Sequence, residues 1–194
     1  IGCSYIAIPH INEERRPGTD GFEQTIKDIE MLSTIAQKHG IQMLYHNHDY
    51  EFQKIKGEYG LDVLYQSIPS ELLQTQIDTC WVNVAGEDPA EYVRKYSGRA
   101  PVVHLKDFVS GENQKSDQDH ELIEIESDET VQTQEESFAF RPLGYGVQNF
   151  PAILTAAEEA GANWVIVGQD RPSMGKTSME SAEISRKYLK SLGI

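Results

Sequence analysis

The sequence predicts an α/β fold in which a parallel β-sheet is covered by helices. Short apolar runs typical of strands alternate five times with segments of helical periodicity. The strand runs are apolar throughout, as in sheets that are buried on both faces. Polar clusters stand where several of these runs end. Because the carboxyl ends of successive parallel strands can share one edge, these clusters predict an active site there.

Local signals fix the order of the elements. Gly40 ends the first helical pattern, and Asp88 followed by Pro89 is typical of a helix N-terminus. Asn149 is suited to cap a later helix that Gly161 ends. The strands are expected at residues 5–9, 41–46, 75–78, 102–105 and 164–167. The helices are expected at about residues 22–39, 61–67, 88–96, 149–160 and 178–192.

One segment does not fit this alternation. Residues 112–136 hold ten acidic residues and one lysine. The net charge of this segment is therefore −9, out of −14 for the whole chain. Few large apolar residues interrupt them, so we expect a solvated insertion at about residues 111–137, with a hairpin near Ser127. A functional acidic lid is the alternative interpretation.

Composition limits the class of protein. With 194 residues and 39% hydrophobic content, the chain is expected to form a single domain over residues 1–194. Its net charge of −14 argues against nucleic acid as a partner. No apolar stretch approaches the ~20 residues of a membrane span. Cys3 and Cys80 lie in strand-like surroundings without metal spacing, which favours free thiols in a reducing cytoplasm.

Two sheet architectures fit the pattern at this point. An open doubly wound sheet needs about five strands, whereas a closed eight-stranded barrel needs ~250 residues. If the fold is a barrel, about three N-terminal strand-helix units are absent from this chain. Such a partial barrel would expose two strand edges, so we expect further units, a covering partner such as a second copy, or poor solubility.

Five motifs in order resemble the xylose isomerase-like family of sugar phosphate isomerases and epimerases, which includes inosose dehydratases. They begin at His46, Ile77, Val102, Arg141 and Gln169 and read HNHDYEF, IDTCWVNVAGEDPAEYV, VVHLKDF, RPLGYGVQNFPAILTAAEEAGANWVIV and QDRP. The resemblance covers all but the acidic insertion. It implies a TIM (β/α)8 barrel, present here as about its last five units.

The family resemblance implies a divalent metal and a sugar, sugar phosphate or polyol substrate. Such enzymes remove a proton beside a carbonyl, and a cation stabilises the resulting enediolate. By position, Asp78 and His104 correspond to the family's aspartate and histidine ligands. Carboxylate and imidazole ligands suit Mn²⁺, Co²⁺, Mg²⁺ or Zn²⁺.

Other site residues follow from the same motifs. We expect catalytic roles for Glu51, Lys106 and His48. We expect substrate contacts from His46, Trp81 and Arg171. Plain structural roles stand beside these: the imidazoles could bind backbone carbonyls, Lys106 could pair with Asp107 or Glu51, and Trp81 could belong to the core.

The last strand departs from the family pattern. Relatives commonly carry Val-Glu-Gln-Asp, whereas this chain has Gly168 at the position of the metal-binding glutamate. A non-catalytic carbohydrate-binding member of the family is therefore the main alternative to an isomerase, epimerase or dehydratase. A phosphodiesterase resembling endonuclease IV is a third hypothesis, disfavoured by the negative charge.

Overall fold

A computed structural model of the protein describes residues 2–110 and 138–194. The acidic insertion and the hairpin predicted near Ser127 lie outside these residues. The strands are β1 Tyr5–Ile8, β2 Gln42–His46, β3 Lys54–Ile55, β4 Glu58–Tyr59, β5 Leu73–Asp78, β6 Val102–Leu105, β7 Asp107–Ser110, β8 Phe138–Arg141 and β9 Trp164–Val167. The helices are α1 Phe22–Lys38, α2 Gly60–Ser67, α3 Thr79–Val84, α4 Pro89–Lys95, α5 Phe150–Glu159 and α6 Ser178–Ser191.

The main sheet has five strands in the order β1-β2-β5-β6-β9. The β1-β2, β2-β5 and β5-β6 pairs are all parallel, which confirms the predicted α/β class. Neighbouring strands follow the order of the chain without a reversal. An open doubly wound sheet reverses its strand order at a switch point, so that alternative is wrong.

The strands β6 and β9 have the predicted bounds, and the predicted helix caps are present. The Asp88 carboxylate accepts a hydrogen bond from the Glu91 backbone N–H at 2.9 Å. The Asn149 side-chain oxygen accepts one from the Ala152 N–H at 3.3 Å. These interactions satisfy backbone donors that the first turn of a helix leaves without intrahelical partners.

Three features of the fold were not predicted: a helix, a small hairpin and a second antiparallel strand pair. Helix α3 follows β5 directly, because Asp78 ends the strand and also caps the helix. The two-residue strands β3 and β4 form a small antiparallel hairpin. Strands β7 and β8 pair antiparallel although 27 residues, 111–137, separate them along the chain. Local periodicity cannot reveal such a distant pairing.

The structure divides into two compact units. The first comprises Ile1–His104 and Ile153–Ile166, and the second comprises Leu105–Ala152 and Val167–Ile194. The first unit holds the main sheet apart from the last residues of β6 and β9. The second holds the β7-β8 pair, the loop after β8 and helix α6.

One face of the main sheet lines a cavity of about 320 Å³. Its walls include Ala7, Leu44, Gln76 and Val102, one from each of four successive strands. Large apolar side chains are exposed on the outer strands, with Ile6 at 52% on β1 and Trp164 at 63% on β9. None of the helices in residues 2–110 and 138–194 is long and apolar enough to cross a membrane.

Candidate metal centre

Two imidazoles and one carboxylate converge at the carboxyl ends of β2, β5 and β6. The Oδ2 atom of Asp78 lies 3.3 Å from Nδ1 of His104 and 3.7 Å from Nε2 of His46. The two imidazole Nδ1 atoms are 3.3 Å apart. Within the described part of the chain, this is the one group of three or more such side chains that places ligand atoms within 4.8 Å of one another.

Strand register explains this convergence. Asp78 is the direct partner of His104 in the β5-β6 ladder, and His46 is the partner of Gln76 in the β2-β5 ladder. Side chains two residues apart on a strand point to the same face. Gln76 and Asp78 therefore share a face with both histidines, the face that lines the cavity.

The two carboxylate oxygens of Asp78 have different surroundings. Oδ1 accepts hydrogen bonds from the backbone N–H groups of Cys80 and Trp81, at 2.9 and 3.2 Å, and so caps α3. Oδ2 faces the two histidines. The helix cap fixes the χ angles of the carboxylate and directs one oxygen toward the imidazoles. Asp78 is fully buried, so its charge needs compensation from cationic or hydrogen-bonding partners.

Aromatic side chains flank this cluster. The ring of His48 lies 5.2 Å from the ring of His46 and 5.6 Å from that of Trp81, measured between centroids. It stacks on Tyr50 at 5.3 Å with an interplanar angle of 7°. His48 and Trp81 are both buried, with 7% and 4% exposure. The structure thus brings these two predicted site residues beside the His46, Asp78 and His104 cluster; their roles stay predictions.

Glu51 is buried in the short 3₁₀ turn that follows His48. Its carboxylate accepts hydrogen bonds from the Tyr45 hydroxyl at 2.5 Å and from the His48 backbone N–H at 2.7 Å. Burial raises the pKa of Glu51 to about 7, although both hydrogen bonds act to lower it. A pKa near neutrality suits proton transfer. The two hydrogen bonds also fix the loop that carries His48, so both roles remain open for Glu51.

Sequence reasoning passed over His10, which lies just after β1. Its Nδ1 is 3.4 Å from the Tyr50 hydroxyl, and its ring meets the ring of His48 edge-on at 5.8 Å. Burial, followed by the nearby Arg16 guanidinium, lowers the pKa of His10. Both effects favour the neutral form of the imidazole. Its place at a strand end, like that of the other three histidines, is the signal that could have identified it.

Lys106 and Arg171, two further predicted site residues, belong to the second unit. Lys106 is buried, and its Nζ lies 3.2 Å from Oδ2 of Asp170 and 5.1 Å from the centre of the Phe140 ring. The sequence did not suggest Asp170 as its partner. Arg171 is exposed, and its backbone carbonyl accepts a hydrogen bond from the Gln169 side chain. Roles in catalysis or substrate binding remain predictions for both residues.

Asp107, next to Lys106, organises the loop after β8. Its two carboxylate oxygens accept four backbone hydrogen bonds of 2.9 to 3.2 Å, from the N–H groups of Phe108, Gly144, Gly146 and Gln148. A Cβ atom on Gly146 would lie 2.2 Å from Oδ1 of Asp107, so only glycine fits at this close approach. The amides of both glycines thus bind a carboxylate of the protein itself.

Comparison with known proteins identifies the family of this chain. Residues 1–192 match the family described as xylose isomerase-like TIM barrel. The inosose dehydratase of Lacticaseibacillus casei is 25% identical over 176 residues, which cover 88% of this chain and 54% of that enzyme. A homologous inosose dehydratase of Clostridium tetani is 26% identical, with 87% of this chain and 53% of that protein covered. The chain spans about half the length of these relatives.

Solved structures show the same fold. A sugar phosphate isomerase/epimerase from Parabacteroides distasonis superposes with a TM-score of 0.70 at 22% identity, covering 96% of this chain and 57% of that one. The IolI protein, crystallised with a zinc atom, superposes with a TM-score of 0.63 at 16% identity, covering 96% and 61%. The predicted fold class is confirmed: the five-stranded sheet is part of a TIM barrel. The chain belongs to the xylose isomerase-like TIM barrel family.

Proposed function

We propose that this chain carries the metal site of an isomerase, epimerase or dehydratase that acts on a sugar, sugar phosphate or polyol. The observation that carries the proposal is the convergence of His46, Asp78 and His104 at the ends of three adjacent strands. Relatives named as inosose dehydratases and a neighbour crystallised with zinc support it.

The donor set fits a divalent cation. Two imidazole nitrogens and one carboxylate oxygen within 4.8 Å of one another are the kind of ligands that Mn²⁺, Co²⁺ and Zn²⁺ accept. His46, predicted as a substrate contact, is thus better placed as a third ligand. Three protein ligands are typical of catalytic sites, which keep a coordination position for substrate or water.

When bound, a cation at this site would stabilise negative charge on substrate oxygens as a proton leaves the carbon beside a carbonyl. The chain supplies what surrounds that chemistry. Asp78 holds one oxygen toward the site because helix α3 occupies the other. His48 and Trp81 form a buried wall beside the cluster, where His48 is suited to hydrogen-bond a hydroxyl group or carry a proton.

Two further groups are proposed to take part in catalysis. Glu51 has a pKa of about 7, which matches the pH at which such a group exchanges protons efficiently. Lys106 carries a cationic side chain in the second unit. It is suited to holding a substrate oxyanion if it separates from Asp170. We keep Arg171 as a substrate contact.

A non-catalytic member of the family is the second candidate, and Gly168 favours it. The backbone N–H of Gly168 donates to the Leu105 carbonyl at 3.0 Å, but glycine offers no side-chain ligand. In this case the protein would bind a carbohydrate without converting it.

Titration calorimetry with Mn²⁺ separates the two candidates. The purified protein is compared with its Asp78→Ala, His104→Ala and Gly168→Glu variants. We expect the unaltered protein to bind Mn²⁺ and each alanine variant to lose binding, after which a screen of sugars and polyols tests turnover. If only Gly168→Glu binds Mn²⁺, the catalytic proposal is wrong and the binding role is favoured.

A further inference from the structure

The strand ladder that should position Asp78 stops short of it on one side. On the β6 side, Asp78 pairs directly with His104. On the β2 side, the last paired residues are His46 and Gln76, two positions before Asp78. The backbone of Asp78 therefore needs another partner on this side, because it is fully buried and an unpaired buried peptide group is costly.

Asn47 provides this partner. Its Oδ1 accepts a hydrogen bond from the Asp78 backbone N–H at 2.9 Å, and its Nδ2 donates to the Asp78 carbonyl at 3.3 Å. One amide side chain thus binds both polar groups of one residue, in place of the missing ladder. Asn47 is itself fully buried. The planar carboxamide suits this position because it carries a donor and an acceptor side by side.

We propose that Asn47 is the positioning residue of the metal site: it fixes the backbone of Asp78 so that Oδ2 meets the imidazoles of His46 and His104. The inference rests on the proposed function. Asn47 follows His46 directly, so the end of β2 supplies one ligand and the next residue holds another. Displacement of Asp78 by even a few tenths of an ångström would change the distances of 3.3 and 3.7 Å that define the cluster.

The effect should appear in metal affinity. Residues that orient metal ligands typically contribute about 10- to 100-fold in affinity. We expect Asn47→Ala to weaken Mn²⁺ binding at least about tenfold by calorimetry and to change the visible absorption spectrum of bound Co²⁺. The matched control is Ile153→Val on α5, a buried truncation in the same unit, which should leave both unchanged.

A second variant covers the case in which Asn47→Ala does not fold. Asn47→Asp keeps the size of the side chain and an acceptor for the Asp78 N–H but loses the donor to the Asp78 carbonyl. Its added negative charge would by itself favour a cation, so weaker Mn²⁺ binding must come from displacement of Asp78. The visible absorption spectrum of bound Co²⁺ reports ligand geometry apart from this charge, so a spectrum identical to that of the unaltered protein would overturn the inference.

The outcomes separate the inference from the function on which it rests. If the unaltered protein binds Mn²⁺ and folded Asn47→Ala binds it equally well, the positioning role is wrong and the metal site stands. If the unaltered protein binds no Mn²⁺, both are wrong. Amide hydrogen exchange adds a readout without metal: the Asp78 N–H should lose protection in Asn47→Ala and keep it in Ile153→Val.

Discussion

Asp78 ends strand β5 and Asp107 begins strand β7, and both side chains are fully buried. Their carboxylates nevertheless have different partners. Asp107 uses both oxygens to accept four backbone N–H groups of the loop that it holds. Asp78 uses Oδ1 to cap a helix and turns Oδ2 toward two imidazoles. Burial alone therefore does not distinguish a structural carboxylate from a metal ligand. The groups around its two oxygens make the distinction: backbone amides surround both oxygens of Asp107, whereas imidazoles face one oxygen of Asp78.

The largest expected effect comes from breaking the Asp107 network. Asp107→Ala would leave four amide donors of one loop without their acceptor, and we expect unfolding to become easier by about 4 kcal/mol. Urea denaturation measures this loss. Asp107→Asn, which keeps one acceptor oxygen, should lose about half as much. A loss below about 1 kcal/mol for Asp107→Ala would contradict the structural role.

Glu51 sharpens the comparison as a buried carboxylate with an elevated pKa. Its pKa rises from 4.5 to about 7 on folding, so the folded state retains a proton that the unfolded chain releases. Stability should therefore fall as the pH rises from about 4.5 to 7, by about 3 kcal/mol in total. Glu51→Gln removes this pH dependence of stability, because an amide does not titrate. It can still donate to the Tyr45 hydroxyl oxygen and accept from the His48 N–H.

The measurement is the difference in unfolding free energy between Glu51→Gln and the unaltered protein, from urea titrations at several pH values. Without added metal, the two should agree below pH 4.5, and the variant should be more stable above pH 7. Parallel curves over this range would show that Glu51 does not titrate as inferred. In enzyme assays, retained turnover by Glu51→Gln would exclude its proposed role as a proton carrier.

Local signals made much of this fold predictable. The Asp88-Pro89 pair and Asn149 each marked a helix start that the structure confirms. The apolar runs of β6 and β9 gave their bounds. Polar clusters at strand ends predicted a site at one edge of the sheet, and His46, Asp78 and His104 lie together there.

What sequence could not supply was the partner of each polar group. A pair with Lys106 was one alternative for Asp107, but three of the four amides it binds come from residues 37 to 41 positions away. The β7-β8 pairing likewise joins strands that 27 residues separate along the chain. Asn47 belongs to the HNHDYEF motif, but the motif did not indicate its hydrogen bonds to Asp78, which depend on where the β2-β5 ladder stops. Such facts are set by tertiary structure and not by local pattern.

The smallest effect on stability, and the sharpest contrast with Asp107, is expected for Asp78→Asn. The amide oxygen can still cap α3, while a nitrogen that cannot bind a metal replaces Oδ2. We expect at most about 1 kcal/mol of lost stability by urea denaturation, with at least about a hundredfold weaker Mn²⁺ binding by calorimetry. Asp107→Asn should behave in the opposite way, with lower stability and unchanged Mn²⁺ affinity. If Asp78→Asn instead lost stability like Asp107→Asn and kept its Mn²⁺ affinity, Asp78 would be a structural carboxylate too, and the metal site would lose its central ligand.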